Sequence, residues 1–445
     1  MNDSVQDTAA EPDLIEQAKQ FNIQGNQYKE ANALDLAEAA YRKAIELNPE
    51  YEAAYSNLVS ALERQNNIAE ARKYVDLSNR LFPEGTFITL NEALILKREG
   101  RLKEAEELLK TKPYPQDAMT EMKVRHELGL IYDRLGQTDL AFEQFQSFNT
   151  FASQAFGFND AQKRVYLQNL DRYKQAFSPD FVKNLSAIEP APKTPICLMG
   201  FARSGTTLLQ HILNSHPQIY ASEEVHAFAR IEDHLMKNLP CYPADLARLS
   251  SANIQELRQA YFSIHHQDQA FREADILVDK YPMLANMTGL VERLFPGSKY
   301  IFIVRHPMDV ILSCYMQFFV PNPATVHFYD LDDLVHLYSK FMALWGHYEQ
   351  AMDLDVHYVK YEDIVSKFNR EISDVLNFIG VPWDDAVLNY NENAQKLNII
   401  SPSYEQVSEK IYDRASYRWE RYKEHLSQYT DQLAPYIEKF GYSKS

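Results

Sequence analysis

Two kinds of apolar spacing follow one another along the chain. Up to about residue 188 apolar positions recur every three or four residues, as in Ala40, Tyr41, Ala44, Ile45 and Leu47, which predicts helices. The pattern repeats. The segments Asp35–Ala39, Asn67–Ala71, Arg101–Ala105 and Gln137–Ala141 are alike, and their last alanines stand 32, 34 and 36 residues apart. Pro49, Pro83 and Pro113 follow the second helix of successive copies and stop it. The expectation is a stack of helical hairpins over residues 12–150, its alanines letting paired helices approach closely. Residues 151–188 read as helices that cap the stack, so 12–188 forms one all-helical region.

Three prolines in Glu189–Pro195 mark a linker. From residue 196 to the end short apolar runs alternate with helical stretches. Strands are predicted at Ile196–Met199, Gln218–Ala221, Ile276–Val278, Tyr300–Val304 and His357–Val359, and helices at 206–214, 283–294, 308–319, 332–352 and 367–379. That alternation predicts an α/β domain with a P-loop-like parallel sheet over 196–445. Ligands of such sheets bind beyond the carboxyl ends of the strands. The helical period near 34 residues resembles that of tetratricopeptide repeats, and the resemblance implies a binding scaffold without chemistry of its own.

Composition narrows the function. The formal charge is −17, from 45 basic and 62 acidic side chains, which disfavours a broad nucleic-acid surface but leaves room for a local basic pocket. The three cysteines, Cys197, Cys241 and Cys314, show no paired spacing, so neither a disulfide framework nor a zinc site is indicated, and Cys197 and Cys314 read as buried thiols. The N-terminus has no signal pattern, and no apolar run approaches the ~18 residues of a membrane span, so a cytoplasmic protein is expected. His265–His266 reads as surface helix and not as a metal site.

The first strand runs into Gly200–Leu209, a glycine-bearing loop that opens a helix and is suited to a phosphate-like anion. Gly200 and Gly205 match the Walker spacing, but Thr206 stands in place of its lysine and Arg203 is the only cation of the loop. Glu223 and Glu224 follow the second strand, where a carboxylate is suited to general base work. Adjacent residues of an extended chain point opposite ways, so one of the two faces the site. Lys280 ends the third strand. Arg305 ends the fourth, with Ser313 about two helical turns on, a pairing suited to a dianionic phosphate.

The run Gly-Phe-Ala-Arg-Ser-Gly-Thr-Thr-Leu-Leu from Gly200 resembles the 5′-phosphosulfate loop of sulfotransferases, above all tyrosylprotein sulfotransferases and bacterial repeat-bearing relatives. The resemblance implies 3′-phosphoadenylyl sulfate as donor, 3′-phosphoadenosine 5′-phosphate as product, and no metal. It implies that Arg203, Ser204, Gly205, Thr206 and Thr207 hold the phosphosulfate, that Glu224 is the base, and that Lys280 steadies the leaving group. Arg305 and Ser313 would take the 3′-phosphate, and Tyr361 would lie near the nucleotide. Segments Ser401–Val407 and Tyr412–Trp419 resemble the C-terminal lid, with Ser403 and Lys410 as donor contacts. A peptidyl tyrosine, a glycan, a lipid-linked sugar or a small phenol all fit as acceptor, and the repeats fit a protein partner. Two other readings stand beside it: a P-loop kinase or nucleoside triphosphatase, against which the missing lysine argues, and a repeat scaffold without catalysis.

Overall fold

A computed structural model describes residues 11–267, 271, 276–390 and 416–443, so Ser403 and Lys410 lie outside the described residues. The chain falls into two compact units, one reaching Ala155 and the other starting at Phe156.

The first unit is all helical. Hairpins pair Glu11–Glu30 with Leu34–Leu47, Glu52–Arg64 with Ile68–Leu81, Thr89–Arg98 with Leu102–Thr111, and Ala118–Arg134 with Thr138–Phe156. The second helices of the first three end two residues before Pro49, Pro83 and Pro113. The repeat phase differs from the predicted one at the first copy. Ala39 is exposed, and the alanine fully buried at the position of Ala71, Ala105 and Ala141 is Ala37. The true spacings are therefore 34, 34 and 36 residues.

Copies are stapled by arginines ending their first helices. Arg64 donates to Lys29 O at 3.3 Å and Asn32 Oδ1 at 2.7 Å. Arg98 reaches Asn66 and Glu63, and Arg134 reaches Lys97 O. Each thus satisfies groups at the end of the preceding copy's first helix, where carbonyls lack helical partners.

The second unit is built on a five-stranded sheet of order β2-β3-β1-β4-β5. The strands are β1 (Ile196–Gly200), β2 (Ile219–Ala221), β3 (Ile276–Lys280), β4 (Lys299–Val304) and β5 (Asp355–Lys360), all parallel. β1 is buried along its whole length, as a strand covered on both faces must be. The expected α/β fold, with its all-helical N-terminal region, is the observed one.

Residues 156–188, the greater part of the segment 151–188, pack within this unit. Helix Asp160–Ala176 lies on helix Leu331–Ala351, where Lys340 pairs with both oxygens of Asp171 at 2.6 and 2.7 Å. The proline segment is anchored as well. Arg258 donates to Glu189 O at 3.0 Å, and Arg293 to Ser186 O at 2.8 Å.

Candidate active site

The segments after all five strands build the site, and a left-handed backbone recurs in three of them. After β1 it falls on Arg203 (φ +66°), after β2 on Glu224 (φ +34°) and after β3 on Met283 (φ +64°). Such conformations cost a residue with a side chain of the order of 1–3 kcal/mol and gather where geometry matters for function.

The loop after β1 is shaped by its glycines. A Cβ on Gly200 would stand 2.5 Å from Ile303 O on neighbouring β4. Gly205 has φ +108°, and a Cβ there would stand 2.6 Å from the Tyr361 ring. Helix Thr206–Asn214 starts at once, so its first N–H groups lack helical partners and carry partial positive charge. Ser204, Thr206 and Thr207 are buried beneath the loop.

β4 delivers the second cation. Arg305 Nη1 donates to Arg203 O at 3.0 Å, Arg203 Nε donates to Ser313 Oγ at 3.2 Å, and the Arg305 guanidinium lies 4.9 Å from the centre of the Tyr361 ring. Arg203, Gly205, Arg305, Ser313 and Tyr361 thus meet at one place. Burial pushes the neighbouring Cys314 thiol up to about 12, against the pull of Arg203 and Arg305.

His306 takes no part in that cluster. It accepts from Met308 N at the start of helix Pro307–Tyr315 and stacks on Trp419 at 5.0 Å. Asp309 of the same turn accepts from Tyr417 N at 2.7 Å and Trp419 N at 2.8 Å. The described end of the chain is thereby fastened to the segment that carries Arg305.

Across the site, Lys280 Nζ donates to Glu224 Oε1 at 2.8 Å. Lys280 is 1% exposed and Glu224 36%. Glu224 does not sit in extended chain, so the alternation expected for Glu223 and Glu224 does not apply; the turn itself aims Glu224 at Lys280. Two further groups flank the pair. Burial pushes the Tyr281 phenol up to about 12, with the charge of Glu224 adding to it, and its ring meets His226 at 5.0 Å. Burial and the Lys280 charge push His211 down to about 4, so its imidazole is neutral.

His265 departs from the surface position expected of it. It is fully buried, with Nε2 3.6 Å from Asp279 Oδ2. Sequence reasoning also passed over Ser222 and Tyr281, although each lies within two residues of a predicted site residue. Cys197 and Cys314 are buried as expected, and Cys241 is exposed. Among the described residues no group of acidic, histidine or cysteine side chains is arranged to hold a metal ion, and no helix is long and apolar enough to cross a membrane.

Residues 195–385 match the sulfotransferase family model, and residues 22–51 match the tetratricopeptide repeat. The sulfotransferase match covers β1 to β5 and the site residues from Arg203 to Tyr361, and ends before Tyr417 and Trp419. An uncharacterized protein of Aquifex aeolicus is 24% identical over 394 residues, 87% of this chain and 51% of that one. The protein-tyrosine sulfotransferase of Drosophila melanogaster is 28% identical over 244 residues, 50% of this chain and 46% of that one. The chain therefore spans about half the length of these two relatives. Among solved structures, the sulfotransferase domain of the Synechococcus PCC 7002 olefin synthase is similar at 23% identity and a TM-score of 0.38, covering 53% of this chain and 91% of that domain. Both parts of the resemblance read from the sequence, sulfotransferase and repeats, recur in these matches.

Proposed function

We propose that the second unit is a sulfotransferase that moves a sulfuryl group from 3′-phosphoadenylyl sulfate to an acceptor hydroxyl. The observation that carries this reading is the Lys280–Glu224 pair, set beside an anion loop that has Arg203 but no Walker lysine. A nucleoside triphosphatase needs that lysine, with magnesium, to offset the triphosphate charge. A sulfuryl group carries less charge, and Arg203, Lys280 and Arg305 suffice for it.

In the transfer the acceptor oxygen attacks sulfur, the bond from sulfur to the 5′-phosphate oxygen breaks, and 3′-phosphoadenosine 5′-phosphate leaves. Glu224 takes the acceptor proton. Lys280 places its ammonium where the leaving oxygen gains charge. Loop residues 203–207 hold the phosphosulfate, and Arg305 with Ser313 takes the 3′-phosphate, since guanidinium matches phosphate geometry. The Lys280–Glu224 contact belongs to the resting state: an arriving phosphosulfate draws Lys280 away and leaves the carboxylate free to accept a proton.

The acceptor class that fits the Drosophila relative is a peptidyl tyrosine, and the repeats fit the task of recruiting a protein partner. The free thiols suit a reducing cytoplasm. Titrating the chain with 3′-phosphoadenosine 5′-phosphate in a chelator tests the donor assignment. Binding without metal supports it; binding only after magnesium is restored, or binding of magnesium–ATP instead, contradicts it.

A further inference from the structure

A buried polar clip ties the segment carrying Glu224 to the strand carrying Lys280. Ser222 lies just past the end of β2 and extends its ladder, its N–H donating to Val278 O at 2.9 Å. Its hydroxyl then crosses to β3 twice: it donates to Asp279 Oδ1 at 3.3 Å and accepts from the Lys280 N–H at 3.3 Å. The other Asp279 oxygen accepts from the Tyr261 hydroxyl at 2.7 Å, which comes from helix Ser251–His265. Ser222, Asp279 and Tyr261 are each no more than 2% exposed. Ser222 is two residues from Glu224, and Asp279 adjoins Lys280.

We propose that Ser222 and Asp279 are positioning residues for sulfuryl transfer, setting the separation between Glu224 and Lys280. The inference rests on the sulfotransferase reading above. Glu224 sits in a left-handed turn with no regular element to hold it, so its placement depends on how its own segment is fastened. The backbone from which the Lys280 side chain reaches is held by its N–H, which donates to the Ser222 hydroxyl. Neither Ser222 nor Asp279 needs to touch substrate, and buried polar groups with satisfied partners fix geometry of this kind.

The test uses the full chain, labelled 3′-phosphoadenylyl sulfate, and a tyrosine-containing peptide and a simple phenol as acceptors. Ser222→Ala is expected to lower kcat about ten- to a hundredfold, the range for misplaced reacting groups, with KM for the donor and binding of 3′-phosphoadenosine 5′-phosphate unchanged. Ser222→Thr, which keeps the hydroxyl, is expected to restore most of the rate. Tyr261→Phe removes only the hydroxyl that holds Asp279 and is expected to lower kcat with the same unchanged KM, so it decides the matter if Ser222→Ala does not fold. Wild-type kcat in a folded Ser222→Ala or Tyr261→Phe chain, or no recovery in Ser222→Thr, overturns the inference alone. A wild-type chain that transfers label to neither acceptor overturns the sulfotransferase reading, and this inference with it.

Discussion

Lys280 and Glu224 meet at 2.8 Å although they come from the ends of different strands, β3 and β2. The Lys280 ammonium occupies the Glu224 oxygen in this pair, so the pair must part for Glu224 to meet an acceptor hydroxyl. Glu224→Gln keeps the shape and loses the base. Turnover is expected to fall by about two to four orders of magnitude, the span of general base catalysis. The same variant lacks the negative charge that competes for Lys280, so 3′-phosphoadenosine 5′-phosphate is expected to bind at least as tightly as to wild type. Glu223→Gln is the control and retains most activity. Loss of activity in Glu223→Gln with activity kept in Glu224→Gln would reassign the base to Glu223.

Gly205 faces the Tyr361 ring with φ +108°. Alanine there brings a Cβ into that ring and a left-handed backbone that costs roughly 1–2 kcal/mol. Calorimetry on Gly205→Ala is expected to show at least about tenfold weaker binding of 3′-phosphoadenosine 5′-phosphate. Removing the ring as well, in Gly205→Ala with Tyr361→Ala, relieves the clash but not the φ strain, so recovery is expected to be partial. Wild-type affinity in the single variant would show that the loop does not hold the ligand.

Arg305 binds Arg203 O and stacks on Tyr361, so it is held from two sides. Arg305→Ala is expected to weaken 3′-phosphoadenosine 5′-phosphate by roughly 1.5–3 kcal/mol, the range for a charged hydrogen bond. Adenosine 5′-phosphosulfate, which lacks the 3′-phosphate, should lose much less. Equal losses for both ligands would reject the 3′-phosphate assignment.

The repeat unit carries its own titration. Burial opposes ionisation of Glu127, but the Lys97 ammonium 2.6 Å away outweighs it, helped by His126, and holds the carboxyl down at about 2. A carboxyl depressed on folding lends stability above its ordinary value of 4.5 and loses it as pH falls toward 2, on the order of 3 kcal/mol in all. Unfolding of the full chain followed by circular dichroism from pH 5 to pH 2 is expected to show that loss. Glu127→Gln should flatten it and, by leaving Lys97 buried without its carboxylate, destabilise the unit at neutral pH. Identical acid profiles for wild type and variant would assign the loss to other groups.

Much of the second unit is legible in the sequence because its signals are local. Helix 206–214 begins and ends where predicted, and the loop before it announces itself through Gly200, Arg203 and Gly205. Arg305 and Ser313 are readable because a strand followed at once by a helix fixes their relation. Three matters were not local. The run Leu36-Ala37-Glu38-Ala39 imitates Ile68-Ala69-Glu70-Ala71, and only burial chooses Ala37 over Ala39. Helix Asp160–Ala176 is amphipathic, which says that it packs but not on what. The Lys280–Glu224 contact depends on a left-handed turn at a residue that is not glycine, which no spacing rule anticipates.

Sulfuryl transfer itself is the most direct measurement. Wild-type protein is incubated in a chelator with 3′-phosphoadenylyl sulfate labelled in its sulfur and with a panel of tyrosine peptides, glycans and phenols, and products are identified by mass spectrometry. The expected result is label on an acceptor hydroxyl, with stoichiometric release of 3′-phosphoadenosine 5′-phosphate, and both products lowered by about two to four orders of magnitude in Glu224→Gln. Sulfur label left on its donor, together with phosphoryl transfer from magnesium–ATP in a parallel reaction without chelator, would contradict it.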